Sequence, residues 1–248
     1  MITTTIITMT TGTTTITTTT DLPPEGALYR LLAWLSPAYP VGAYTYSHGL
    51  EAAVEEGSVT TRHDLAAYVG TALRDGAGRV DGALLAAAHR AASGADDAAL
   101  NDAAELATAW RGTAETALEA TAQGNAFASV TINAWPDPRY AAFAARHPRR
   151  LAHAVAFGAA AGYAGVPLRP ALFGFLSAFA ANLVSAGVRL VPLGQTDGQL
   201  TTAALLPVVQ AATDAALTAD LDTLGTAAPM LDILSIRHET QYTRLFRS

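Results

Sequence analysis

The sequence predicts an all-α fold, a single-domain orthogonal bundle of about ten helices packed around a central buried apolar helix. Three observations carry that prediction. Alanine fills 55 of 248 positions; it is the strongest helix former and is ordered without side-chain entropy loss. Apolar residues recur at helical spacing from Leu28 onward, as in helices with one buried face. A hydrophobic share of 50% against 15% charged supplies ample apolar surface to bury and excludes disorder of the whole chain.

Residues 1–20 contain thirteen Thr and lack the basic start and apolar stretch of a secretory signal. They read as a disordered low-complexity tail, although Thr-rich runs can also pair as strands. The domain then spans 21–248. Leu28, Leu31, Leu32 and Leu35 form one stripe on a short helix, ended by Ser36-Pro37 because a residue before proline avoids the α region. Ser36 to Gly49 is a stiff, irregular connection with two prolines, Gly42 and Gly49, and three tyrosines. It is either a contact surface or a buried loop whose rings fill a gap in the core. A helix begins near Leu50. Thr61 with Asp64 three residues later caps the next one, and Leu65, Tyr68, Val69, Ala72 and Leu73 continue its buried face. Further helices are expected over 79–92 and, as one long element, over 100–133. Trp135-Pro-Asp-Pro138 and His147-Pro148 are breaks.

Residues 151–165 and 171–191 are the most apolar part of the chain. A run of that length can suggest a membrane span. The second run, however, divides into a large stripe (Leu172, Phe175, Leu176, Phe179, Leu183) and a small one (Gly174, Ala178, Ala181, Ser185), with Asn182 between them. That is the pattern of a core helix approached closely by its neighbours. A polar loop over 193–199, a helix over 200–217, a short helix over 220–224 and the segment 230–248 complete the chain.

Composition also limits function. There is no Cys, hence no disulfide framework, thiolate metal site or cysteine nucleophile. All fifteen basic residues are Arg, so lysine Schiff bases and the P-loop lysine are excluded. A net charge of −6 argues against nucleic acid as a partner. No nucleophile elbow, phosphate loop or metal-binding His pattern occurs, and the glycines at 158, 162 and 165 lack the setting of a dinucleotide site. No cofactor or metal is expected. His153, in an apolar stretch, reads as a satisfied core histidine, and His238 and Glu239 are adjacent and point apart. Gln195, Thr196, Asp197 and Gln199 are the densest polar group; helix capping explains them most simply, and a small helical hydrolase or transferase built on that loop is the alternative reading.

The last residues are more informative. Leu245 and Phe246 are large apolar residues where chains usually fray, flanked by Arg244 and Arg247 with planar donor forks. Such a segment is ordered by docking, with apolar anchors for affinity and Arg for register.

Three segments together resemble the urease accessory protein F (UreF) family: Leu32 to Glu51 (LAWLSPAYPVGAYTYSHGLE), Arg189 to Gln199 (RLVPLGQTDGQ) and His238 to Ser248 (HETQYTRLFRS). The resemblance implies an all-α, cytoplasmic, non-enzymatic maturation factor for urease. Such a factor binds the accessory protein UreD/UreH, forms a homodimer within that complex and recruits the GTPase UreG to insert nickel into apo-urease. It also implies a docking surface made by Pro40, Gly42, Tyr44, Tyr46, Ser47 and Gly49 of the loop with Tyr242, Arg244, Leu245, Phe246 and Arg247 of the tail. On this reading Arg244 or Arg247 is expected to donate to backbone carbonyls of the Pro40–Gly42 turn. The Thr-rich head is not a feature of the family, and the helix after Trp110 is less charged than the family's.

Overall fold

The computed structural model describes residues 24–248 together with two backbone pairs near the start, Met9–Thr10 and Thr13–Thr14, which run antiparallel. The disorder expected for residues 1–20 otherwise falls outside the described residues. From residue 24 onward every regular element is a helix, as the alanine content requires.

Helix α1 (Glu25–Trp34) buries Ala27, Leu31 and Trp34. The leucine stripe places the inner face about one residue away from where it lies: Leu28 and Leu32 are exposed. Trp34 decides the rotation by fitting edge-on against Phe127 and Phe157, 5.9 and 6.1 Å between ring centroids, an arrangement that suits the ring quadrupoles. After the loop come α2 (Leu50–Glu55) and α3 (Arg62–Arg74). The α3 cap is the reciprocal one expected, Asp64 N–H donating to the Thr61 hydroxyl and Thr61 N–H to the Asp64 carboxylate.

Helix α4 (Ala77–Ser93) precedes a correction. The segment expected as one helix over 100–133 is two, α5 (Asp97–Ala109) and α6 (Ala114–Ala134). The chain turns at Trp110–Thr113, where Gly112 lowers helix propensity and Thr113 caps α6 with its hydroxyl. After α7 (Pro138–Arg146) comes α8 (His153–Tyr163), in which every residue from Ala154 to Tyr163 is buried. It lies between α4 and α6 and touches α5, α7 and α9. This shorter helix is the buried centre. Helix α9 (Leu168–Leu190), expected to fill that place, is the one helix among the described residues long and apolar enough to cross a membrane, and half of that stretch is buried. Its large stripe faces the core as expected, with Phe179 half-exposed. Its small stripe does not meet a neighbouring backbone, because Ala178, Ala181 and Ser185 line a cavity instead.

The helix expected over 200–217 begins earlier and breaks in the middle, as α10 (Gln195–Ala204) and α11 (Leu206–Leu217), bent by 43°. Pro207 explains the bend, since it cannot donate to the preceding turn. A single 3-10 turn (Leu221–Thr223) and α12 (Pro229–Glu239) lead into the tail. One continuous apolar core joins every helix from α1 to α12 except α10 and includes Phe246 of the tail.

Candidate docking site

The loop after α1 turns over at Gly42 and Gly49, both with φ of +76°. Gly49 is required twice over, because a Cβ there would stand 2.8 Å from the backbone nitrogen of Ser235 on α12. The loop thus enters α2 in direct contact with the helix that feeds the tail. Between the two glycines a 3-10 turn, Ala43–Thr45, lifts Tyr44 into solvent, while Tyr46 and Ser47 turn inward and are buried.

The tail lies along this loop through backbone groups. Arg247 N–H donates to the Thr45 carbonyl at 2.7 Å, and the N–H and hydroxyl of Ser47 both donate to the Ser248 carbonyl at 2.5 Å. Leu245 N–H and Phe246 N–H donate to the two carboxylate oxygens of Glu51, at 2.6 and 2.9 Å. The Phe246 ring is buried beneath the Arg189 guanidinium, 4.4 Å from its centroid, and Arg189 also donates to the Tyr44 carbonyl at 2.9 Å. Asn182, the polar interruption of α9, donates to the Tyr46 carbonyl at 3.3 Å.

Loop and tail therefore form one strip, as expected, but not through the expected bonds. Neither Arg side chain reaches the Pro40–Gly42 turn. The Arg244 guanidinium pairs with Glu115 at 3.1 Å, Arg247 contributes its backbone, and the arginine that does hold the loop is Arg189. The reason is geometric: the tail's main chain already lies against the loop, so its side chains are directed away from it. Of the expected site residues, Pro40, Tyr44, Tyr242, Arg244, Leu245 and Arg247 are exposed, Gly42 is half-buried, and Tyr46, Ser47, Gly49 and Phe246 are buried supports.

Beneath the strip lies a polar layer that sequence reading missed. The His238 ring presents Nδ1 to both Glu115 oxygens at 2.9 Å and Nε2 to Glu51 at 3.0 Å. Glu119 accepts from the Gln123 amide at 2.7 Å and the Ser248 hydroxyl at 3.2 Å, and faces His48 Nε2 at 2.9 Å. Burial alone would lower the His48 pKa; the charge of Glu119 and its hydrogen bond outweigh that and raise it above the ordinary value. The expectation that His238 and Glu239 do not act jointly agrees with this geometry, since the partners of His238 come from α2 and α6.

A cavity of about 440 Å³ lies under the loop, walled by Tyr39, Val41, Phe175 and Phe179 with Asp81, Arg111, Glu119 and His153 at its polar end. His153 is not the satisfied core histidine expected. Its ring makes no hydrogen bond among the described residues, packs against Phe127 and Phe175, and burial lowers its pKa from 6.5 to about 4. The sign follows directly: between pH 6.5 and about 4 the unfolded chain takes up a proton at this residue and the folded chain does not, so stability falls with pH across that window. The expected loss is at most about 3 kcal/mol by pH 4. Urea midpoints measured for the wild type and His153→Phe should diverge as pH falls through this window, the variant showing the shallower acid limb; parallel limbs would remove His153 as the cause.

The loop proposed as an alternative reacting centre offers little. Residues 195–199 are the first turn of α10, where Asp197 accepts from Gly194 N–H at 3.2 Å, the capping role that was the simpler reading. Among the described residues no three His, Asp or Glu side chains gather as a metal site.

The UreF family model matches residues 59–206. A urease accessory protein UreF of Granulibacter bethesdensis is 66% identical over 224 residues, covering 90% of this chain and 95% of the relative. A UreF of Rhodopseudomonas palustris strain BisB5 is 52% identical over 224 residues, with 90% and 92% covered. One of Bradyrhizobium sp. strain ORS 278 is 49% identical over 222 residues, again with 90% and 92% covered.

Proposed function

The chain belongs to the UreF family of urease accessory proteins, and from that premise we propose that it works by joining other polypeptides, binding UreD/UreH and recruiting the GTPase UreG so that nickel enters apo-urease. The observation that carries this reading is the strip in which loop and tail are bonded backbone to backbone. Tyr44, Tyr242, Leu245 and Arg247 stand outward on it while Tyr46, Ser47 and Phe246 are fixed beneath. Exposed aromatic and Arg side chains on a fixed backbone resemble binding hot spots, because little ordering entropy is lost on contact. A shallow groove bounded by Leu118, Glu239, Arg244 and Arg247 continues the surface onto α6.

Homodimer formation within the complex and a cytoplasmic location belong to the same proposal. The exposed stripe Met230, Ile233 and Ile236 on α12 offers apolar area for a second copy.

The test is a Tyr44→Ala/Leu245→Asp double variant. Both side chains are solvent-facing, so the thermal midpoint should move by no more than about 2 °C. UreG should be recruited at least tenfold more weakly to the complex, and urease should accumulate without nickel. Undiminished recruitment would overturn the assignment of this surface; fully metallated urease in cells lacking the chain would overturn the function.

A further inference from the structure

We infer that Glu51 is the residue that positions the tail, acting as a fork for two consecutive backbone N–H groups and held in place by a relay that returns to the tail itself. The inference rests on the loop–tail reading above and adds what sets that surface. Glu51 lies in the first turn of α2, nearly excluded from water. One of its oxygens accepts from Leu245 N–H and the other from Phe246 N–H. Only a carboxylate offers two acceptor oxygens on one planar group, so a single side chain fixes both the position and the rotation of the chain at 245–246. The recognition is of main chain alone. It therefore leaves Leu245 and Arg247 facing solvent while Phe246 points inward.

The carboxylate is aimed from behind. Its Oε2 also faces His238 Nε2, the other nitrogen of that ring faces Glu115, and Glu115 receives the Arg244 guanidinium. The sequence tail backbone, Glu51, His238, Glu115, Arg244 begins and ends in the tail. Its members come from α2, α12, α6 and the tail, so the tail is locked only when all three helices are packed. Buried carboxylates are costly unless partnered; here both Glu51 oxygens accept a tail N–H, and the His238 ring lies against Oε2. Ser47 and Glu119 complete the hold at Ser248.

Glu51→Gln tests the role without changing shape. The amide must turn its NH₂ toward either Leu245 N–H or Phe246 N–H, so one tail hydrogen bond is lost while the packing volume is kept. In the full chain bound to UreD/UreH, amide exchange at Leu245 and Phe246 should accelerate at least tenfold, with the α8 amides of Val155 to Phe157 unchanged and UreG affinity reduced tenfold or more. Unchanged exchange at 245–246 overturns the inference, and so does acceleration by the same factor in α8, which marks a general loss of stability. Accelerated tail exchange with full UreG affinity upholds the positioning role and overturns the docking reading instead. Should Glu51→Gln fail to fold, Arg244→Gln at the exposed end of the relay serves in its place. About threefold faster exchange at 245–246 is expected, and no change there sinks the relay.

Discussion

Replacing Gly124 by alanine is expected to destabilise the protein by about 3 kcal/mol or more, although alanine is the better helix former by roughly 1 kcal/mol. Gly124 lies in α6 where that helix meets the start of α8. A Cβ there would stand 2.0 Å from the Leu151 carbonyl oxygen and 2.7 Å from both the Ala152 carbonyl carbon and the His153 nitrogen. All three are main-chain atoms, so no side chain can swing away; α6 and α8 must separate. Separation also draws Phe127 away from Phe157, now 5.7 Å apart, and from Trp34. The thermal midpoint, followed by circular dichroism, should fall by roughly 6–12 °C or more for a chain of this size. Gly26→Ala is the control: nothing lies within 4 Å of a Cβ built there, and its midpoint should hold or rise. If Gly124→Ala melts within about 2 °C of the wild type, the close approach of α6 to α8 is not what holds the centre together.

The same contact explains which parts of the fold can be read in the sequence. Elements set by neighbours in the chain are legible: the Thr61–Asp64 cap, the stops at Pro37 and Pro136, the aromatic loop with its positive-φ glycines, and the anchored tail. Elements set by distant contacts are not. The break at Trp110–Thr113 lies in an alanine-rich stretch that is helical by propensity on both sides, and Gly112 alone does not announce a turn. Rotation of α1 follows Trp34, whose partners lie more than ninety residues away. The small-residue stripe of α9 cannot show whether a helix or a cavity faces it. At the candidate site, the outward residues are visible because solvent-facing Tyr, Leu and Arg in a turn or tail stand out locally. Glu51, Glu115, Glu119, His48 and Arg189 do not, since a carboxylate on an amphipathic helix reads as solvated. What identifies Glu51 as buried is His238, 187 residues further on.

Breaking the Asp81–Arg111 pair is the second change expected to be severe. The two side chains meet at 2.8 Å with only 14% and 8% of their surfaces exposed, at the polar end of the cavity under the docking loop. Arg111 also donates from Nε to the Ala107 carbonyl at 3.1 Å, closing the last turn of α5. Arg111→Met leaves a buried carboxylate without its partner, and Asp81→Leu leaves a buried guanidinium; each is expected to cost about 3–5 kcal/mol. Replacing both removes the two desolvation costs with the attraction, so the double variant should lie well above the sum of the single losses and close to the wild type. Urea unfolding of the four proteins measures this coupling, and single losses that simply add would show that the charges do not depend on each other. The cycle bears on the docking surface as well. Asp81 raises the pKa of His48 and Arg111 opposes it, so removing Arg111 alone favours the charged ring that faces Glu119, whereas removing Asp81 alone disfavours it. Glu119 accepts the Ser248 hydroxyl; the two single variants, alike in stability, should therefore differ in how firmly they hold the end of the tail, Asp81→Leu holding it less.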